Sequence, residues 1–165
     1  MLNTGAGHAR WVALAAFLFA GAVPAAAGPF SAFPGTWNGD GTIAYSDGTK
    51  ERIRCKTVYS VTTPDATDLN VAFSCNSDNY RFELNGKMTA DSSGALSGLW
   101  SETTRSVNGK VTGQVREQRI MIRIDAAGFG ATLNLVTKDD RQQMKMDSAG
   151  GGSTATANIN LRLAK

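Results

Sequence analysis

The sequence predicts an all-β protein in which about eight to ten short strands follow one another as an antiparallel meander. Three observations lead to this fold class. Apolar and polar side chains alternate with a period of two, clusters of Gly, Asn and Asp separate the alternating runs, and no segment has the 3.6-residue period of a helix. A meander either closes into a small barrel, which removes exposed strand edges, or packs as a β-sandwich. We expect the barrel, and the sandwich remains the alternative.

The first 27 residues have the pattern of an export signal. Arg10 precedes the apolar run 11–22, and small residues follow it up to Ala27, which is the form that signal peptidase cleaves. The run is shorter than the ~20 residues that a spanning helix needs. We therefore expect cleavage near Ala27, a periplasmic or secreted location, no membrane span, and a single domain over residues 28–165.

A predicted hairpin around residues 63–67 is expected to bring the two cysteines together. Alternating runs at 53–61 and 69–75 flank the turn-forming segment 63–67. A turn centred in that segment places Cys55 opposite Cys75. Opposed strand positions hold Cβ atoms ~4.5–5.5 Å apart, slightly wider than the ~3.5–4.5 Å of a disulfide. Two cysteines in an exported chain predict one disulfide, and the lack of Cys-x-x-Cys spacing favours a structural role.

Alternation continues to the end of the chain. Turns are expected at Asn85-Gly86, at 91–94, at Asn108-Gly109 and at 138–141. The further strands are expected at 80–84, 95–102, 111–115, 120–124, 129–137, 142–146 and 155–163.

Composition excludes several classes of function. The one histidine is His8, so residues 28–165 cannot form a Ser-His-Asp triad, a Cys-His pair or a His-ligated zinc site. A net charge of +3 is too small for a dedicated nucleic-acid surface. We expect no cofactor, no metal and no nucleic-acid partner.

Four carboxylates fall on expected strands and could pair for glycoside chemistry. They are Glu51, Glu83, Glu102 and Asp125. Alternation places Glu51, Glu83 and Glu102 beside basic residues on the outer face, where charges are normally solvated. The protein is therefore expected not to be an enzyme.

The start of the first expected strand carries the triplet Gly35-Thr36-Trp37. It resembles the Gly-x-Trp signature of calycin barrels, the group that includes lipocalins, avidins, fatty-acid binders and small exported bacterial metalloprotease inhibitors. In that group a basic residue of the last strand packs across the tryptophan, and Arg162 stands where the resemblance places it. The resemblance implies a ligand-binding barrel or a protease inhibitor.

Most of the chain after the signal is also similar to a family of small exported bacterial proteins with no assigned function, which implies no chemistry. The similar segments include 37–43, 51–55, 80–82 and 98–105.

Two functions follow from these patterns. The first is a barrel that binds a small apolar or amphipathic ligand in its interior or mouth, since barrels of about eight strands either fill with side chains or hold one ligand. The second is a protein-interaction module with a filled core, such as a protease inhibitor that inserts residues 28–34, or an envelope accessory factor. That segment could equally be a loose terminus. The oligomeric state is not predicted. The candidate ligand-binding residues are Trp37, Tyr59, Phe73, Tyr80, Phe82, Trp100, Phe129 and Arg162.

Three basic residues, Arg52, Arg54 and Lys56, share one face of an expected strand. This face could contact an acidic lipid head group or a polysaccharide, or serve as a solvated outer surface. We expect the solvated surface.

Overall fold

The computed structural model describes residues 27–79 and 81–165. The expected signal peptide, apart from Ala27, and Tyr80 lie outside the described residues. Ten strands follow one another: β1 (Gly35–Tyr45), β2 (Lys50–Val61), β3 (Asp68–Asn76), β4 (Arg81–Ala90), β5 (Ala95–Glu102), β6 (Val107–Arg116), β7 (Arg119–Ala126), β8 (Phe129–Lys138), β9 (Arg141–Gly150) and β10 (Ser153–Leu163).

The strands form a closed barrel in which every neighbour is antiparallel. Each strand pairs with the next along the chain, and β1 pairs with β10 to complete the ring. Closure leaves no unpaired edge among these ten strands. The predicted all-β meander and the barrel are confirmed, and the sandwich alternative is wrong.

The register of the hairpin formed by β2 and β3 is the predicted one. Cys55 lies opposite Cys75 between β2 and β3, with Cα atoms 4.1 Å apart, and the two form a disulfide. Both sulfurs belong to the buried face of the sheet, because alternate residues of β2 are buried from Ile53 to Tyr59. The predicted Cys55–Cys75 disulfide is confirmed.

Two predicted turns are wrong. Asn85-Gly86 lies inside β4 and Asn108-Gly109 lies inside β6. The chain reverses at the predicted turn 91–94, where Gly94 has a φ of +81°, and at 103–106, which was not predicted.

Trp100 explains why Asn108-Gly109 does not form a turn. It lies between Gly86 and Gly109 in the register of β4, β5 and β6. A Cβ on Gly109 would lie 2.8 Å from Trp100 Nε1 and 2.0 Å from the Asp125 carbonyl oxygen. The bulky indole therefore needs a neighbour without a side chain, and this tertiary demand overrides the local preference of Asn-Gly for turns.

Residues 28–34 pack across one end of the barrel, which we call the closed end. Phe30 and Phe33 are 0% exposed. The Phe33 ring meets those of Phe30 and Tyr59 edge to face, at centroid distances of 6.1 and 5.9 Å. Trp37 Nε1 donates a 2.8 Å hydrogen bond to the Phe33 carbonyl oxygen. The interpretation of this segment as a loose terminus, or as a free arm for a protease cleft, is wrong because its aromatic rings are part of the core.

The described ranges contain no helix that is long and apolar enough to cross a membrane.

Candidate functional site

The interior of the barrel contains an apolar cavity of about 80 Å³. This is several times the ~10–15 Å³ that admits one water molecule, so the side chains do not fill the barrel. The walls are inward residues of the alternating strands, mainly aliphatic side chains and methionines. The aromatic residues among them are Tyr59, Phe73, Phe82, Trp100 and Phe129.

Gly86 helps to explain where this space comes from. Its backbone faces the cavity, and a Cβ placed there would meet no atom closer than 3.8 Å. The indole of Trp100 approaches Gly109 on its other side rather than Gly86. The missing side chain at position 86 therefore leaves open volume between β3, β4 and β5.

A second cleft, of about 470 Å³, lies at the end of the barrel opposite residues 28–34, and we call it the mouth. Four side chains, Phe82, Trp100, Phe129 and Met146, line both the cavity and the mouth. The two spaces therefore adjoin at this ring of four residues. Taken together they fall within the ~300–1,000 Å³ that is typical of small-molecule sites.

Glycines in two turns leave part of the rim of the mouth without side chains. Gly128 in the β7–β8 turn and Gly151 in the β9–β10 turn line the mouth, with φ of +71° and +59°. No atom lies within 4 Å of a Cβ at either position. The sequence thus places residues without side chains where a ligand would enter.

Glu102 is the buried polar group of the mouth. It has the same inward orientation as Trp100 on β5 and is 3% exposed. Its carboxylate accepts hydrogen bonds from the backbone N–H groups of Thr104 (3.1 Å) and Arg105 (2.7 Å), and from the Thr104 hydroxyl. Burial acts to raise the pKa of Glu102, but these hydrogen bonds outweigh it and hold the pKa below its ordinary value. The ionised carboxylate therefore braces the β5–β6 turn.

That turn presents Arg105 to the mouth. Its Nη1 lies 3.8 Å from Glu102 Oε1, and its side chain is 51% exposed. Both oxygens of Glu102 already accept turn donors. Among the described residues that line the mouth, Arg105 is the only basic one, and its Nη1 also donates a 3.3 Å hydrogen bond to the Thr104 hydroxyl.

The other carboxylates are divided between the two faces. Glu83 and Asp125 lie on the outer face, where Arg81 and Arg123 pair with them. Glu51 has the inward orientation of Ile53, is half-buried at the rim and accepts a 2.7 Å hydrogen bond from the Ser77 hydroxyl. The outer-face expectation is therefore wrong for Glu51 and Glu102. Strand parity alone could have shown this, because each shares a face with buried apolar residues.

No group of three or more His, Cys, Asp or Glu side chains in the described ranges is arranged to hold a metal ion.

One buried polar atom of the cavity wall, Trp100 Nε1, has no hydrogen-bond partner among the described residues, and Trp100 is 5% exposed. An unsatisfied buried polar group costs about 1–3 kcal/mol. A bound molecule with a hydrogen-bonding atom could recover part of that energy.

Seven of the eight candidate ligand-binding residues, all except Arg162, fall into three groups. Tyr59, Phe73, Phe82, Trp100 and Phe129 line the cavity. Trp37 is buried at the closed end, away from the cavity lining, and Tyr80 lies outside the described residues.

Arg162 is a correction. It lies opposite Asn38 on the outer face of β10, is 64% exposed, and its Nη1 is 3.9 Å from Asp140 Oδ2. Trp37 points inward, so the barrel wall separates the two side chains. The expected packing of Arg162 across Trp37 is therefore absent, and Arg162 does not line the ligand space.

Sequence comparison finds no match to any protein-family model or curated protein. Among solved structures, the fold is similar to an S-type phycobiliprotein lyase from Guillardia theta, with a TM-score of 0.63 and 10% identity over 82% of this chain and 90% of that one. A de novo designed fluorescence-activating β-barrel aligns with a TM-score of 0.43 and 18% identity over 80% of this chain and 94% of that one. At these identities the lyase likeness shows the fold alone, a calycin-like barrel.

Proposed function

We propose that the protein binds a small apolar or amphipathic molecule inside the barrel and acts as a carrier or sensor rather than an enzyme. The observation that carries this proposal is the shared ring of Phe82, Trp100, Phe129 and Met146, which joins the cavity to the mouth. Because residues 28–34 cover the closed end, the ligand enters at the mouth.

The volumes define the shape of the ligand. The cavity of about 80 Å³ is smaller than the ~150 Å³ cavity that accommodates benzene in an engineered core. The interior therefore receives one end of the ligand, such as a short chain or the edge of a ring, and the rest occupies the mouth. Arg105 contacts the polar end of an amphipathic ligand, and Glu102 holds the turn that positions it.

We infer further that the protein is exported, with cleavage near Ala27 and residues 28–165 as its single domain. The Cys55–Cys75 disulfide supports this, since disulfides persist in oxidising compartments. The lyase activity named for the similar structure from Guillardia theta is a property of that protein, and its barrel fold is compatible with ligand binding here.

The experiment introduces a side chain into the cavity and measures the affinity for a dye. Gly86→Val places three carbon atoms in the open space beside Val71 and Leu84. Gly130→Val is the matched control, because Gly130 lies on the outer face of β8 and its Cβ would also meet only distant atoms, at 3.9 Å or more. The probe is N-phenyl-1-naphthylamine, an uncharged dye whose fluorescence rises in apolar surroundings.

We expect Gly86→Val to weaken dye binding at least tenfold, about 1.4 kcal/mol, and Gly130→Val to leave it within twofold. Thermal melting confirms that both variants are folded, and Gly86→Ala replaces the valine variant if it is not. Equal binding by the two folded valine variants, or no dye binding by the wild type, would contradict the proposal.

A further inference from the structure

The outer wall of the barrel carries a row of cations on β2. Arg52, Arg54 and Lys56 are all exposed, and successive members are ~6.6–6.8 Å apart because they alternate along one strand. Within the described residues, none of the three side chains forms an ion pair or a side-chain hydrogen bond. Charged pairs such as Arg123–Asp125 and Lys145–Asp147 neutralise cations on other strands.

The strands beside this row present mostly uncharged polar groups. On β1, the outward residues opposite Lys56, Arg54 and Arg52 are Asn38, Asp40 and Thr42. On β3, Ser74 and Asn76 stand opposite Lys56 and Arg54. On β10, Asn160 and Asn158 continue the pattern opposite Asp40 and Thr42. We call this surface, formed by the outward residues of these four strands, the basic face.

Two clefts open on the basic face. Their volumes are about 510 and 610 Å³, and both are lined by Asp40, Arg54 and Asn76. Lys56 adds to the first cleft and Arg52 to the second. A linear molecule that lay along β2 would therefore meet all three cations in turn.

We propose that the basic face binds an acidic polysaccharide. A chain of sugars that carry carboxylates repeats its negative charge at intervals, as the cations of β2 repeat their positive charge. Its hydroxyl groups both donate and accept hydrogen bonds, and carboxamide side chains such as Asn38 and Asn76 do the same.

The same surface is poorly suited to a membrane. Of the large apolar side chains that are exposed in the described ranges, Leu99 and Met121 lie on β5 and β7, and only Val58, at 37% exposure, lies on β2. Peripheral membrane proteins bind through buried apolar area in addition to charge, and the basic face offers little such area. The proposal is independent of ligand binding inside the barrel, because the basic face and the cavity lie on opposite sides of the wall.

The test compares two triple variants, each of which loses three cations from a different part of the outer surface of the barrel. One variant combines Arg52→Gln, Arg54→Gln and Lys56→Gln. The control combines Lys110→Gln, Arg116→Gln and Arg119→Gln on β6 and β7, which lie across the ring from β2 and lose the same net charge. The probes are polygalacturonate, neutral dextran, and vesicles of phosphatidylglycerol and phosphatidylcholine, each titrated at low and at physiological salt.

We expect polygalacturonate to bind the wild type and to bind more weakly as salt increases. Exposed ion pairs contribute modestly, so the β2 variant should lose about tenfold in affinity and the control variant less than about twofold. Two carboxylates line the clefts, Asp40 in both and Asp78 in the second. Asp40→Asn, which removes the shared one, should strengthen binding. Equal losses in both triple variants, equal binding of dextran, or binding of vesicles without polygalacturonate would overturn the proposal. An unchanged thermal melting temperature in both triple variants shows that their barrels are intact.

Discussion

The closed end of the barrel gives a prediction whose size can be worked out from the structure. Phe33 is fully buried, and its ring contacts those of Phe30 and Tyr59. Replacing a buried phenylalanine with alanine removes the burial energy of the ring and leaves a cavity, at a cost of about 3–5 kcal/mol. With a urea m-value of about 2 kcal/mol per molar, Phe33→Ala should lower the unfolding midpoint by about 1.5–2.5 M.

Phe82→Ala is the matched comparison, because Phe82 is half-buried and lines the mouth. Equilibrium unfolding in urea should show a smaller loss for Phe82→Ala, of about 1–2 kcal/mol, while titration with N-phenyl-1-naphthylamine should show weaker binding for this variant alone. Phe33→Ala should cost stability and leave dye affinity within about twofold. A loss below about 1 kcal/mol for Phe33→Ala would refute the reasoning, since residues 28–34 would then not close the barrel.

Two further predictions concern the disulfide and Glu102. Replacing Cys55 and Cys75 with alanine opens a loop of sequence separation 20 and should cost about 3 kcal/mol; calorimetry under oxidising conditions should show this difference and reductant should abolish it, whereas coincident melting curves without reductant would contradict it. Glu102→Gln should cost about 1–3 kcal/mol near neutral pH because the turn donors lose an ionised acceptor. Since the pKa of Glu102 is lowered on folding, this difference should be constant above about pH 5 and shrink as the pH falls below about 4, and a difference that grows on acidification would contradict the brace.

Strand register can be predicted where the alternation of apolar and polar residues is combined with a recognisable turn. In the hairpin of β2 and β3, the apolar faces of both strands coincide only if Cys55 lies opposite Cys75. The register and the disulfide could therefore be predicted from residues 53–75. The same parity argument identifies Trp100 and Phe129 as inward residues. Parity is a strong signal because a slip of one residue would turn the whole apolar face to solvent.

The errors arose where a local preference competes with tertiary packing. Asn85-Gly86 and Asn108-Gly109 look like turns, but their glycines flank the indole of Trp100 inside the barrel. Residues 28–34 look like a loose terminus, yet the apolar rings of this segment find a barrel end to cover. Neither outcome follows from spacing along the chain, since both depend on which strands become neighbours on closure.

The prediction of Glu102 on the outer face is wrong for a related reason. A charged residue near Arg105 is normally solvated, whereas strand parity places Glu102 on the inner face. Burial is possible here because the chain turns back after Glu102, and Thr104 and Arg105 donate their N–H groups to the carboxylate. The compensating hydrogen bonds are formed by a turn whose position the sequence did not predict.

The most direct test of the ligand site is an NMR titration of the protein with N-phenyl-1-naphthylamine, observed at the indole N–H groups. Trp100 Nε1 lies in the cavity wall and has no hydrogen-bond partner in the described part of the chain, whereas Trp37 Nε1 is hydrogen-bonded to the Phe33 carbonyl oxygen at the closed end. We predict that the Trp100 indole signal moves on binding, together with the amides of Phe82, Phe129 and Met146, and that the Trp37 indole signal stays in place. Shifts confined to the outer wall, with an unmoved Trp100 signal at saturation, would contradict a ligand site inside the barrel.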